Sequence, residues 1–145
     1  MRQGIQTLFA ELGEAGCLAL CICELGKPGI SEGEAVGLIL EGIARGFILY
    51  DENDRQNPNN FFVQDRDGFM ALVTGQKGWS STKESSGYTP KPGERIIECW
   101  KWDETLAGNV VSHQHFRLPA WDPIKEARTV RYGQLESYRV FRKAA

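Results

Sequence analysis

The strongest constraint on the fold is a continuous apolar run near the start of the chain, Gly16-Cys17-Leu18-Ala19-Leu20-Cys21-Ile22-Cys23. A helix made of this run is apolar on every side, and such a helix has to be buried all round. The segment Lys27-Pro28-Gly29 follows shortly afterwards and is expected to end the helix, because proline cannot continue it. We therefore predict a buried helix with Cys17 in its first turn.

The rest of the chain divides into a helical part and a strand-rich part. Residues 3–12 are expected to form a short helix, and Ser31 and Glu34 form a capping box that starts another helix, closed by Gly46. The residue pattern then predicts strands at 47–50, 95–102, 110–118, 127–132 and 135–142, a loop at 79–93, and either a helical turn or a strand at 69–74. Helices followed by an antiparallel sheet indicate an α+β fold, and the length fits one domain, 1–145.

Composition excludes several classes of protein. Lys and Arg number 17 against 19 Asp and Glu, so the net charge is -2, and neither a basic run nor a polybasic amphipathic face is present. We therefore expect no nucleic-acid partner and no membrane partner. The apolar stretch is too short for a membrane span and follows acidic residues, unlike an export signal, so we expect a cytoplasmic protein.

Four cysteines, at positions 17, 21, 23 and 99, raise the possibility of a disulfide or a zinc site. Three of them are too close on one helix to bridge each other comfortably, and Cys-x-Cys on a helix is not a zinc knuckle. The polar segment 51–60 lacks the glycine and the closing glutamate of a calcium loop. We expect reduced thiols, no metal and no cofactor.

Cys17 is the candidate nucleophile. A thiol in the first turn of a helix lies near the positive end of the helix dipole and near unpaired backbone N–H groups, both of which favour the thiolate. The backbone N–H of Cys17 is itself a candidate oxyanion donor. The alternative is that Cys17 is one more small buried residue, as Cys21 and Cys23 are expected to be.

The only two histidines, His113 and His115, lie two residues apart and therefore share one face of the predicted strand. Residues 117–120 form a natural reversal, and a turn centred on Leu118 and Pro119 places His115 opposite Asp122, with Cβ atoms roughly 4.5–5.5 Å apart. In that register His113 faces Ile124 and has no acidic partner. The sequence thus predicts His115 as the base and Asp122 as the carboxylate that orients it. Gln6 is the candidate side-chain oxyanion donor.

Four short motifs carry a resemblance to a known family: Gly16-Cys17, Ile30-Ser31-Glu32-Gly33-Glu34, His115-Phe116 and Asp122-Pro123. Together they resemble the papain-like cysteine peptidase superfamily, especially its compact branch around the bacteriocin-processing peptidases. The C-terminal stretch 133–141 is also similar to the end of an uncharacterised phage and bacterial family. The resemblance implies a papain-like fold with Cys17 as nucleophile, His115 as general base and Asp122 as orienter. Two departures are that Leu12 or Glu11 stands where that family places its glutamine, and that the His-to-Asp interval is short.

Three functions remain open from the sequence. The leading one is a cysteine hydrolase that cleaves a peptide or amide substrate through the Cys-His-Asp arrangement. The second is a catalytically inactive papain-like domain, for instance a phage-encoded or accessory protein, that binds a protein partner. The third is a metal site formed by Cys99, His113 and His115.

Overall fold

The computed structural model describes residues 16–144. Three helices come first, a four-stranded sheet follows, and one short helix interrupts the sheet before its last strand. The elements, in chain order, are α1 (Cys17–Gly26), α2 (Glu32–Ala44), α3 (Arg66–Thr74), β1 (Trp79–Ser85), β2 (Arg95–Leu106), β3 (Asn109–Arg117), α4 (Arg128–Tyr132) and β4 (Gln134–Lys143). The predicted helix at 3–12 lies outside the described residues.

The four strands form one antiparallel sheet in the order β1-β4-β2-β3. Strands β2 and β3 form a hairpin in which Cys99 lies opposite Phe116 and Trp100 lies opposite His115. β4 crosses over to pair with β2 on its other side, so β3 is left as an edge strand. The α+β class, with helices followed by an antiparallel sheet, is as predicted.

The start of each long helix follows the local sequence. Ser31 is the N-cap of α2, where its Oγ accepts a hydrogen bond from the Glu34 backbone N–H at 3.2 Å, as the capping box predicted. Asp65 is the N-cap of α3, and its side chain accepts a hydrogen bond from the Gly68 backbone N–H at 2.8 Å. Gly16 precedes α1 and has no side chain for capping, so backbone groups near Cys17 remain open to other acceptors.

The core lies between the helices and one face of the sheet. α1 packs against α2, α3, β2 and β3, which explains why its residues are apolar all round. The core includes side chains from all of these elements and from β4: Ala19, Ile22, Ile39, Phe69, Met70, Ile97, Cys99, Phe116 and Phe141. In residues 16–144, no helix is long and apolar enough to cross a membrane.

Three local predictions were wrong. The stretch predicted as a loop at 79–93 contains strand β1, whose only buried residue is Trp79, so its alternation is weak. Residues 128–132 form the short helix α4 and not a strand. Residues 47–50 contribute only an isolated bridge between Ile48 and Val63. The open choice at 69–74 is resolved as the helix α3.

Candidate active site

His115 and Asp122 form a close pair in which the imidazole is buried and the carboxylate is half-buried. The Nε2 atom of His115 lies 2.7 Å from Oδ1 of Asp122, and the two side chains are 4% and 22% exposed. The same Asp122 oxygen accepts a hydrogen bond from the Ile124 backbone N–H at 2.9 Å, which fixes the carboxylate on its own loop. A carboxylate held in this way orients the imidazole and favours the tautomer that is protonated on Nε2. Nδ1 is then the ring nitrogen that can exchange a proton with a substrate or a thiol.

The turn that brings this pair together lies one residue later than predicted. Leu118 and Trp121 are bridged by backbone hydrogen bonds of 2.8 and 3.3 Å, so the turn centres on Pro119 and Ala120. The predicted cross-strand register between His115 and Asp122 is therefore wrong. Their side chains nevertheless meet, because the bridge is isolated and Asp122 belongs to the loop that folds back along the end of β3.

Cys17 lies in the first turn of α1, as predicted, and its side chain is buried but not sealed, with 8% of the residue exposed. Backbone N–H groups of Phe116, Leu18 and Cys17 lie near the sulfur, and each of them acts to lower the pKa of the thiol. Burial has the larger effect, so the pKa of Cys17 is raised overall. The expected activation by the helix start is thus present but outweighed by desolvation.

The Phe116 contact places the Cys17 sulfur against the backbone of β3, at the residue that follows His115. Side chains alternate along a strand, so the His115 ring lies on the sheet face opposite that of Phe116, whose ring packs in the core. The amide nitrogen of Phe116 is bonded to the carbonyl carbon of His115, so the thiol lies one peptide unit from the histidine backbone. Within residues 16–144 no hydrogen bond joins the Cys17 sulfur to the His115 ring. The structure therefore brings His115 and Asp122 into direct contact, whereas Cys17 meets β3 at the Phe116 backbone and not at the His115 ring.

Cys17 opens into a cleft of about 390 Å³. Its lining combines apolar side chains from α1, β3 and the loop before α3 with polar groups from that loop, α3, β3 and β4. The described lining residues are Cys17, Leu18, Pro58, Asn60, Phe61, Phe62, Val63, Arg66, Gln114, Phe116 and Arg139. Asp122 faces a separate and more open cleft that also contains Arg117, Trp121 and Arg131. The described lining of the cleft that Cys17 enters includes neither His115 nor Asp122, and Asp122 faces the second cleft.

An oxyanion donor is available at the same place. The predicted donor Gln6 lies outside the described residues. Gln114 lines the cleft, and one of its N–H groups donates to the Cys99 sulfur at 3.2 Å, which leaves the second N–H of its amide for another acceptor. The backbone N–H groups of Cys17 and Leu18 at the start of α1 are further donors. Gln114 was not predicted from the sequence, because no local pattern indicates that it shares a cleft with Cys17.

His113 has an acidic partner that the sequence analysis did not find. Its Nε2 lies 3.0 Å from Glu104 Oε1, and its ring stacks on Trp102 with a centroid distance of 5.1 Å. The prediction that His113 lacks an acidic partner is therefore wrong. The His113 side chain is 37% exposed, against 4% for His115. The difference in burial, not the presence of a carboxylate, separates the two histidines.

The residues proposed for a metal site are engaged elsewhere. Cys99 accepts a hydrogen bond from Gln114, His113 contacts Glu104 and His115 contacts Asp122. In the part of the chain that the structure describes, no three or more His, Cys, Asp or Glu side chains are grouped so as to hold a metal ion. All four cysteines are free and buried, with no disulfide among them.

Burial also governs the other thiols of α1. It raises the pKa of Cys23 to about 12 and that of Cys21 well above its usual value. Acidic neighbours raise these pKa values further: Glu24 acts on Cys23, and Asp122 is among the groups that act on Cys21. Cys21 and Cys23 are completely buried, so only Cys17 among the three reaches a cleft.

The chain was compared with protein-family models, with curated proteins and with solved structures, and none of the three comparisons finds a match. Its function is therefore inferred from the geometry of the site alone.

Proposed function

We propose that this protein is a cysteine hydrolase with a papain-like fold and that it cleaves a peptide or amide bond. Cys17 is the nucleophile, His115 the acid and base, and Asp122 the residue that orients His115. The observation that carries the proposal is the 2.7 Å contact between His115 and Asp122, together with a thiol in the first turn of a helix whose sulfur lies near the backbone N–H of Phe116, the residue after His115. Apo enzymes commonly hold catalytic hydrogen bonds loosely and tighten them when substrate binds.

The chemistry follows from these positions. The Cys17 sulfur attacks the substrate carbonyl carbon, its proton passes to Nδ1 of His115, and an S–C bond forms. The oxyanion accepts hydrogen bonds from backbone N–H groups at the start of α1 and from Gln114. His115 then returns the proton to the leaving amine as the C–N bond breaks. Water, deprotonated by His115, hydrolyses the thioester, which releases the acid and regenerates the thiol.

The competing function is an inactive domain of the same type that binds a protein partner. One observation favours it: burial raises the pKa of Cys17, which lowers the fraction of thiolate at neutral pH. The two functions differ in whether His115 makes Cys17 reactive.

Alkylation by iodoacetamide at pH 7, followed by peptide mapping, tests the proposal. Burial alone protects Cys21, Cys23 and Cys99, so the decisive comparison is between variants and not between cysteines. We expect His115→Ala to slow alkylation of Cys17 by about 10- to 100-fold, because the base that removes the thiol proton is lost. His113→Ala is the matched control and should leave the rate unchanged. Equal rates in both variants would favour the protein-binding function.

Hydrolysis itself is measured with a peptide library and mass spectrometry. Cys17→Ala should abolish cleavage while the circular dichroism spectrum and the unfolding midpoint stay close to those of the parent protein, because alanine fits the space of a small thiol. Cleavage that survives this substitution would rule out Cys17 as the nucleophile. A cytoplasmic location is part of the proposal, since four free thiols persist most readily in a reducing compartment.

A further inference from the structure

Two arginines line the cleft that Cys17 enters, and no carboxylate among the described residues forms an ion pair with either of them. Arg66 donates from Nε to the Ser81 hydroxyl at 3.1 Å, and Arg139 donates from Nη1 to the Ser137 hydroxyl at 3.0 Å. The described lining of the cleft contains no Asp or Glu. Among the described residues, the two positive charges of the cleft beside Cys17 therefore have no carboxylate in direct contact.

Arg139 is the more unusual of the two, because it is only 8% exposed. Arginine is almost never buried without a charged partner, since desolvation of the guanidinium is costly. It also lies over the ring of Phe116, whose centroid is 5.3 Å from Cζ, and the Ser137 hydroxyl that it contacts donates in turn to the Glu136 carboxylate. A guanidinium has five N–H donors, and one of them is used by Ser137. The buried charge is thus stabilised only in part by the protein.

The neighbouring charges do not remove this imbalance. Glu136 lies near Arg139, but its carboxylate is shared with Lys83 and Lys101 at 3.4 and 3.7 Å. Burial lowers the pKa of Arg139 most, and the like charge of Arg66 lowers it further, while Cys99 and Glu136 act in the opposite direction. Two guanidinium groups that repel each other across one cleft become favourable neighbours when an anion lies between them.

We propose that Arg66 and Arg139 bind a carboxylate of the substrate, so that Cys17 attacks a peptide or amide bond close to an acidic group. This inference rests on the proposed function, whose reaction it makes specific. Arginine suits this role because its planar fork of donors matches the two oxygens of a carboxylate. The apolar wall of Phe61, Phe62 and Val63 is available for the rest of the acyl chain. The carboxylate belongs either to an Asp or Glu side chain or to the C-terminus of a peptide.

The charge of the cleft is tested with two alkylating reagents of similar size, the anion iodoacetate and the neutral iodoacetamide. In both reactions the Cys17 sulfur forms an S–C bond, iodide leaves, and the thiol proton passes to His115 or to solvent. We expect the ratio of the iodoacetate rate to the iodoacetamide rate to be about tenfold higher for Cys17 than for glutathione, because the cationic cleft concentrates the anion. Arg66→Gln should reduce that ratio towards the glutathione value.

Controls separate charge from folding. Arg45→Gln removes an exposed arginine of α2 that pairs with Glu41, and it should leave the ratio unchanged. Arg139 is buried, so Arg139→Gln carries a risk of misfolding. Arg139→Lys is therefore measured as well, and it should keep much of the preference for iodoacetate. A ratio equal to that of glutathione, unaffected by Arg66→Gln, would overturn this inference. The proposed function would survive that result provided that His115→Ala still slows the alkylation of Cys17 by iodoacetamide.

The source of the carboxylate is identified by protection of Cys17 from iodoacetamide. Acetylated and amidated peptides containing Glu are compared with the same peptides containing Gln, and free C-termini are compared with amidated ones. Protection by Glu peptides alone identifies a side-chain carboxylate, and protection by free C-termini alone identifies the α-carboxylate. Equal protection by all members of the set would contradict carboxylate binding.

Discussion

Two histidine–carboxylate pairs lie on β3, and their burial decides what each can do. The His115 side chain is 4% exposed and that of His113 is 37% exposed, whereas the two carboxylates, Asp122 and Glu104, are both half-buried. Hydrogen bonds gain strength as water is excluded, so the His115 imidazole is held more firmly than that of His113. A fixed imidazole is one property that the proposed hydrolysis needs.

Substitution of Asp122 tests this difference. Asp122→Ala should lower the free energy of unfolding by about 1.5–3 kcal/mol, the range for a hydrogen bond to a charged group, and should slow Cys17 alkylation as the imidazole loses its orientation. Asp122→Asn keeps an acceptor oxygen and should recover much of the stability. Glu104→Ala is the matched control, and we expect it to change alkylation of Cys17 little. Urea unfolding and peptide-mapped alkylation measure the two effects, and equal losses in the Asp122 and Glu104 variants would refute the distinction.

At the scale of elements, the sequence predicted those with a strong local signal and missed those without one. The apolar run predicted α1, the capping box predicted α2, and the alternating residues predicted β2. β1 and α4 were misread, because a polar edge strand has little alternation and a five-residue helix is held in place by the rest of the fold.

The same limit applies to the candidate site: a contact between residues close in sequence was predicted, and a grouping of residues from distant elements was not. The contact of His115 with Asp122 was predicted from their spacing, but the turn register was not, although proline favours the second position of a turn and Pro119 occupies it in the structure. Arg66, Gln114 and Arg139 come from three separate elements, and no local pattern indicates that they share one cleft with Cys17. Such groupings depend on the register between strands and on how the helices cross the sheet.

Two glycines of α2 provide a test of how tightly the elements are packed. A Cβ at Gly42 would lie 2.9 Å from the Phe69 ring and 3.1 Å from Ile48, whereas one at Gly37 would meet nothing within 4 Å. Gly37→Ala should therefore stabilise the protein by up to about 1 kcal/mol, the difference in helix propensity. Gly42→Ala gains the same propensity but overpacks the core, and we expect a net loss of about 1–2 kcal/mol. Urea unfolding measures the stability of both variants. A stabilising Gly42→Ala would contradict the close packing of α2 against Phe69 of α3.

At the scale of the whole molecule, the helices cover one face of the sheet and the thiols of α1 lie at the centre of that packing. Cys21, Cys23 and Cys99 have no exposed surface, and Cys17 alone reaches a cleft. The apolar run that determines where α1 lies also places Cys17 at the edge of β3. Core packing and the candidate nucleophile therefore depend on the same helix.

The buried thiols predict how stability depends on pH. The pKa of Cys23 is raised to about 12, and those of Cys17 and Cys21 are also raised, so the folded protein keeps these protons at pH values where the unfolded chain loses them. Their stabilising contribution is fully present below the unfolded thiol pKa, which is about 8.5, and it is lost as the pH rises towards 12, by at most about 1.4 kcal/mol per pH unit for each thiol. Urea unfolding between pH 7 and pH 11 should show this decline, and Cys23→Ala should make it less steep.

Ile22→Val is the control: it removes a methyl group from the same buried helix without removing a titratable group, so it should lower the free energy of unfolding by a similar amount at every pH. If Cys23→Ala and Ile22→Val show the same pH dependence, ionisation of the Cys23 thiol does not contribute to the alkaline loss of stability.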